Sequence, residues 1–197
     1  MTLPMPFAIL LGLTALSRLI ELMVSHRNLR ALKKLTAQRG GTWKHCESGA
    51  VYAQMVAIHL LLLVAPALEC AYFDRRASLP VFLLAASLWS CGQILRWWSI
   101  AALGVAWNVR GAVSSVQTIV HTGIYSRIRH PNYLGVLLEG VALPLAGAAW
   151  VSLAFLNLLL VPVTLKRLRA EERLLAELPA WRDSCSGNGL LLPRLHS

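Results

Sequence analysis

The chain has 197 residues, 56% of them hydrophobic and 14% charged, with a net charge of +10 and a mean hydropathy of +0.57. A soluble domain is usually about 45–50% apolar and about 25% charged, which excludes an ordinary water-soluble globular protein. The basic excess reads as loops gathered on one membrane side, where they favour anionic lipid, rather than as the footprint of a nucleic-acid-binding protein.

The apolar residues fall into blocks of roughly 20, the length that spans a bilayer. The fold class that follows is all-α, a polytopic integral membrane protein with about five transmembrane helices and a single domain over residues 1–197. Residues 1–101 supply three N-terminal helices, and residues 102–184 form the part that carries the chemistry.

Residues 4–24 are the first block, and no Lys or Arg precedes Arg18, so the block lacks the basic start of a signal peptide. Arg18 and Glu21 share a helical face near its end and read equally as an interfacial pair or a functional one. Residues 25–49 read as a basic loop or surface helix, broken at Gly40-Gly41. The second block, 51–72, holds His59, which alone in a membrane helix reads as packed and hydrogen-bonded. The third, 80–101, closes on Arg96-Trp97-Trp98, an expected interface anchor.

Residues 102–129 are too polar to span and are expected to form a loop or re-entrant segment. Pro131 suits the first turn of a new helix, where its missing N–H is not needed. The fourth and fifth blocks, 132–149 and 151–165, are barely long enough to cross and predict a tight helical hairpin. A helical tail starts at Lys166 and is expected to fray after Pro179. Lys and Arg number six in 25–49, three in 102–129 and six from 166 onward, whereas the opposite loops hold only Arg75 and Arg76. That asymmetry puts the basic loops and the polar cluster on the cytoplasmic side, with the N-terminus outside.

The four cysteines, Cys46, Cys70, Cys91 and Cys185, form no CxxC pair and read as reduced; no metal site is expected. The chemistry concentrates in residues 123–135 and again in 166–172. Ionisable groups between apolar blocks by default line a site. Glu139 lies two turns into an apolar helix and needs a partner, while Arg167 and Glu171 are spaced to pair on one helix face. Arg129 and His130 can donate to carboxylate or hydroxyl groups, Glu171 or Glu172 can accept from an ammonium or ribose, and Tyr125 and Tyr133 offer aromatic faces. The chain carries no GxGxxG, no GxxxxGK[ST], no HExxH and no GxSxG.

Gly123-x-Tyr125, then Arg129-His130-Pro131-x-Tyr133-x-Gly135, then Glu171-Glu172 after a helical hairpin, resembles the isoprenylcysteine carboxyl methyltransferase family. The resemblance covers residues 103–175. It implies S-adenosyl-L-methionine as cofactor, bound at the cytoplasmic side of a bacterial inner membrane, and a lipophilic substrate that reaches the site from among the membrane lipids. By position it implies cofactor contacts at Thr118, Ile119, Val120, Tyr125, His130, Pro131, Asn132, Tyr133, Glu171 and Glu172. It places Arg129 beside the reacting atoms and Arg167 toward the substrate's acidic group. A phenol acceptor, with a pKa of about 10, needs help to ionise, from Glu139 or His130 as base or from Arg129 stabilising the oxyanion. Arg18-x-x-Glu21, Ser25-x-Arg27-Asn28 and Met55-Val56-x-x-His59 are similar to a bacterial branch. Some members of that branch accompany type III polyketide synthases and O-methylate long-chain alkylpyrones or alkylresorcinols.

The function expected is methyl transfer to an oxygen, carboxylate or phenol/enol, of a lipid-tailed acceptor. The alternatives are an NADPH-dependent sterol-type reductase of the same fold, a phospholipid N-methyltransferase, and a membrane scaffold without activity.

Overall fold

The computed structural model describes residues 3–185 and 188–192, with side chains omitted for 183–185. Six helices carry the fold: α1 (Met5–Gln38), α2 (Gly49–Tyr72), α3 (Leu79–Leu103), α4 (Pro131–Ala146), α5 (Trp150–Leu175) and α6 (Pro179–Cys185). Two short strands, β1 (Trp43–His45) and β2 (Ala112–Ser114), pair antiparallel with Lys44 opposite Val113. Four of the helices, α1, α2, α3 with the turn that follows it, and α5, are long and apolar enough to cross a membrane.

Helix α4 has 16 residues. At 1.5 Å per residue it reaches about 24 Å, short of the roughly 30 Å hydrocarbon core. It sits against α3, α5, α2 and α1 instead of facing lipid alone. The hairpin expected from the sequence forms, but its second arm does not stop near residue 165: α5 runs through Pro162 and on past the acidic pair to Leu175. The expected frayed tail is a further short helix, α6, opening at Pro179.

Of the two readings of the basic stretch, loop or surface helix, residues 25–38 take the helical one. They continue α1, which is 34 residues long in all, because nothing before Gly40 breaks the helix and its polar turns find partners. Asn28 donates to the carbonyls of Gly104 and Trp107 at 2.8 and 2.9 Å, and Thr36 bonds Ser114 Oγ at 2.7 Å. The chain does turn at Gly40, whose φ of +64° suits glycine, and β1 then pairs with β2. The expected loop at 102–129 is thereby tied down as a cap of two 3₁₀ turns and β2 over one end of the bundle.

At the other end, Glu69 of α2 accepts from the free backbone N–H groups of Val151 and Ser152 at 3.0 and 2.7 Å. A carboxylate at the start of α5 satisfies orphan donors and complements the helix dipole. Arg75 pairs with the same carboxylate at 2.7 Å.

Apolar contact with lipid offers little gain over contact between helices, so membrane bundles depend on close packing and buried polar contacts. Both occur here. Gly92 of α3 faces Gly135 of α4, and a Cβ on Gly135 would lie 2.8 Å from Gly92 O and 2.6 Å from Arg96 Cγ. Met55, Ile58 and Leu62 of α2 pack with Val136 of α4 and with Leu156 and Leu160 of α5. Cys46, Cys70 and Cys91 are free; the Cys185 side chain lies outside the described residues.

Candidate functional site

Residues 123–135 form the approach to α4. Gly123, with φ of +62°, starts a 3₁₀ turn that places Tyr125 in the interior. Pro131 occupies the first turn of α4, and His130 precedes it as the N-cap residue, with φ −131° and ψ 60°. The tail holds this approach from outside: Arg129 N donates to Gly189 O at 2.8 Å and His130 N to Leu190 O at 3.1 Å. Asn188 Nδ2 adds a bond to Tyr125 O at 2.8 Å.

The end of α5 comes against this turn. Tyr133 OH donates to Glu171 Oε2 at 2.6 Å. His130 Nε2 meets Glu172 Oε1 at 2.6 Å, and Arg129 Nη1 donates to Glu172 Oε2 at 2.5 Å. The two polar stretches that the sequence separates by some forty positions therefore make one cluster. Burial pushes the Tyr125 phenol above its ordinary value, so it stays protonated and keeps its donor.

A cavity of about 240 Å³ opens beneath this cluster. Thr118, Ile119, Val120, Tyr125, Arg129, His130, Asn132, Tyr133, Arg167 and Glu171 all line it, as do Gln117 and Trp181. Pro131 and Glu172 do not line it. Pro131 starts the helix, and Glu172 holds Arg129 and His130 from behind. Among the described residues no group of three His, Cys, Asp or Glu converges to hold a metal.

Arg167 does not pair with Glu171 as their spacing suggested. Its Nη2 donates to Val109 O, and its Nε lies 3.4 Å from Glu47 Oε2. Glu47 follows β1, and its carboxyl is pushed up by burial against the opposing pull of Arg167. The sequence reading missed it, since a Glu in a basic loop carries no signal until β1 folds over the cap.

Glu139 lies outside the lining and is 3% exposed. Arg18 Nη2 clasps both its oxygens at 2.7 and 2.8 Å, and Gln93 Nε2 donates at 2.9 Å. Arg18 also donates to Glu21 at 2.6 Å, and Arg96 reaches the same carboxylate at 3.1 and 2.5 Å. Arg96 is therefore not an interface anchor: it is 3% exposed and closes a network of two guanidiniums and two carboxylates across α1, α3 and α4. Arg18-Glu21 is likewise part of this buried network rather than an interfacial pair. Its members Arg18, Glu21 and Arg96 line the deep part of the cavity, together with His59.

Residues 84–177 match the model of the isoprenylcysteine carboxyl methyltransferase (ICMT) family. The chain is also similar to "Uncharacterized protein YpbQ" of Bacillus subtilis (strain 168), at 28% identity over 171 residues, which is 87% of this chain and 97% of that protein.

Proposed function

Residues 84–177 belong to the isoprenylcysteine carboxyl methyltransferase family, and from that premise we propose that the chain transfers a methyl group from S-adenosylmethionine to an oxygen of a lipid-tailed acceptor. The observation that carries the reading is the junction of α5 with the approach to α4. Tyr133–Glu171 and Arg129–Glu172–His130 put an acidic pair, a cation and two aromatic rings at one end of a cavity that runs down between membrane helices.

The lining suits a zwitterionic nucleoside. Arg129 Nε and Asn132 Oδ1 are buried without hydrogen-bond partners, one a donor and one an acceptor. Buried polar groups left unpaired are costly, which favours a ligand that engages them. Arg129 suits a carboxylate, whereas Asn132 and Glu171 suit ammonium or ribose hydroxyl groups. Tyr125 and Tyr133 present faces attractive to an adenine or a sulfonium.

When bound, S-adenosylmethionine supplies an electrophilic methyl group on a cationic sulfur. The remaining work falls to the chain. Tyr133 OH fixes the Glu171 carboxylate, and Glu172 fixes the Arg129 guanidinium, so neither must reorganise during the step. Trp181 packs near the His130 ring, 6.0 Å between centroids, and helps to keep water out. A dry cavity favours a step in which opposite charges cancel, and alignment supplies much of the rate. A carboxylate acceptor needs no base at neutral pH, whereas a phenol, with a pKa of about 10, does. For a phenol, Arg129 would favour the ionised oxygen before the transfer, and that negative charge is then consumed as the methyl group arrives. Glu139 acts through Arg18, which lines the cavity, rather than by contact with the reacting atoms.

In a bacterial inner membrane the cap would face the cytoplasm. Arg27, Arg30, Lys33 and Lys34 on the second half of α1, and Arg39 at its C-cap, all lie toward that end, in keeping with the excess of cations in cytoplasmic segments. The test is label transfer: the protein in lipid nanodiscs, methyl-labelled S-adenosylmethionine, and either 5-pentadecylresorcinol or palmitate as acceptor. Label in the organic phase with wild type and none with Arg129→Ala is the result expected. Label in neither acceptor, nor in the nanodisc lipids, would remove the reading.

A further inference from the structure

Arg167 and Glu171 stand one turn apart on the same face of α5, about 6 Å along its axis. A cation and a carboxylate at this spacing ordinarily pair, and both residues line the cavity. Such a pair would spend the charge of Glu171 on its own neighbour, where the cofactor reading needs it for an ammonium or a hydroxyl group. The pair does not form. Glu171 accepts from Tyr133 OH at 2.6 Å, and Arg167 is turned toward the cap.

What turns Arg167 comes from outside α5. Its Nη2 donates to Val109 O, just before β2, and its Nε lies 3.4 Å from Glu47 Oε2, just after β1. The strand pairing fixes Glu47: His45 lies opposite Ala112, and Cys46 N donates to Gly111 O at 2.9 Å. Gly111 has φ of +57°, and a Cβ there would collide with Cys46 Sγ, so glycine lets the two segments close this tightly. The Glu47 side chain is 3% exposed, and neither of its oxygens has a hydrogen-bond partner. Burial pushes its carboxyl up, Arg167 opposes that, Glu171 adds to it and Arg110 opposes it. Glu47 therefore stands within electrostatic reach of both members of the pair that fails to form. It does not line the cavity, and it lies outside the residues that match the family model.

We propose that Glu47 is a positioning residue: it draws Arg167 away from Glu171 and so leaves Glu171 able to receive the methyl donor. Glu47 touches neither donor nor acceptor and acts through Arg167. The proposal rests on the methyltransferase reading only in what Glu171 receives. Two carboxylates compete for one guanidinium. The cap side offers Arg167 both Glu47 and the Val109 carbonyl, whereas Glu171 already holds a donor in Tyr133. Away from water such charge competition is strong, and solvent does not replace a lost competitor. It follows that β1 must be seated on β2 for Glu171 to be ready, because both holds on Arg167 belong to the cap.

The first measurement needs no ligand. Reversible unfolding of the full-length protein in mixed detergent gives the coupling between Arg167 and Glu171 from Arg167→Met, Glu171→Gln and the two combined, in wild type and again in Glu47→Gln. The coupling is expected to rise about tenfold, read in the unfolding constant, once Glu47 is neutral; no rise would overturn the proposal. The second is calorimetric titration with S-adenosylhomocysteine in nanodiscs. Glu47→Gln is expected to bind about tenfold more weakly than wild type, the effect of one charged hydrogen bond. Glu47→Gln combined with Arg167→Met is expected to return to within about threefold of wild type, because the competing cation is gone. A loss that persists in the combined variant would mean that Glu47 only supports the fold, and would overturn the proposal. Glu47→Asp keeps the charge and is expected to lose less than Glu47→Gln; an equal or greater loss would count against the proposal in the same way. Should wild type fail to bind S-adenosylhomocysteine, the methyl donor falls, and the ligand-free coupling alone decides the role of Glu47.

Discussion

Replacing Glu139 by Ala removes the acceptor for both Arg18 bonds and for Gln93, at 2.7, 2.8 and 2.9 Å, and the ion pair to Arg96 at 3.5 Å. Arg18 and Arg96 then share Glu21 alone, so one positive charge is left uncompensated in a site 3% exposed at Glu139. Breaking a buried pair from one side costs about 3–5 kcal/mol, much more than the net worth of the pair. Glu139→Gln keeps the shape and one acceptor oxygen and is expected to lose about 1–3 kcal/mol, the cost of an imperfectly matched charged bond. Removing both partners, Arg18→Met with Glu139→Leu, leaves Glu21 matched to Arg96 and is expected to recover at least half the Glu139→Ala loss. Reversible unfolding in mixed detergent, followed by tryptophan fluorescence, measures all four proteins. If Glu139→Ala unfolds within about 1 kcal/mol of wild type, or the double variant is less stable than the single one, the network is not compensated as drawn.

Other outcomes follow from the same geometry. Tyr133→Phe loses the bond to Glu171 at 2.6 Å and is expected to weaken S-adenosylhomocysteine binding about tenfold with little change in stability; calorimetry of the variant reads this. Gly135→Ala forces a Cβ within 2.8 Å of Gly92 O and is expected to cost about 1–3 kcal/mol, whereas Gly12→Ala meets nothing within 4 Å and is expected to be neutral or gain up to about 1 kcal/mol. Cys46 is pushed up to about 12 from an ordinary value near 9, chiefly by burial. A folded value above the unfolded one means its contribution is full below pH 9 and is lost as pH rises toward 12. Iodoacetamide at pH 8 is therefore expected to spare Cys46 in the folded protein and label it after unfolding, as peptide mass mapping would record.

The helices, the hairpin and the junction of the two polar stretches are legible in the sequence because each has a local signal. Bilayer-length apolar blocks give α1, α2, α3 and α5, and Pro131 marks the start of α4. The motif and the acidic pair stand out as polar groups in an apolar chain. The buried network was not legible. Arg18-Glu21 shows as a pair at helical spacing, but its neighbours Arg96 and Glu139 lie 75 and 121 positions away from Glu21 and Arg18 respectively. Arg96 sits beside Trp97-Trp98 and so has the composition of an interface anchor; only the close approach of Gly92 to Gly135 draws it inside. The basic run of α1 read as either a loop or a surface helix because its cations mask the stripe of Ser25, Asn28, Leu32 and Thr36 that packs beneath the cap. Strands of three residues such as β1 and β2 leave almost no pattern to detect.

The central claim is that the junction of α5 with the approach to α4 holds a methyl donor. Calorimetric titration of the protein in nanodiscs with S-adenosylhomocysteine and, separately, with NADP tests it most directly. Saturable binding of S-adenosylhomocysteine, lost in Glu171→Ala and absent for NADP, is the expected result; binding of NADP alone would mean that this cavity serves hydride transfer and not methylation.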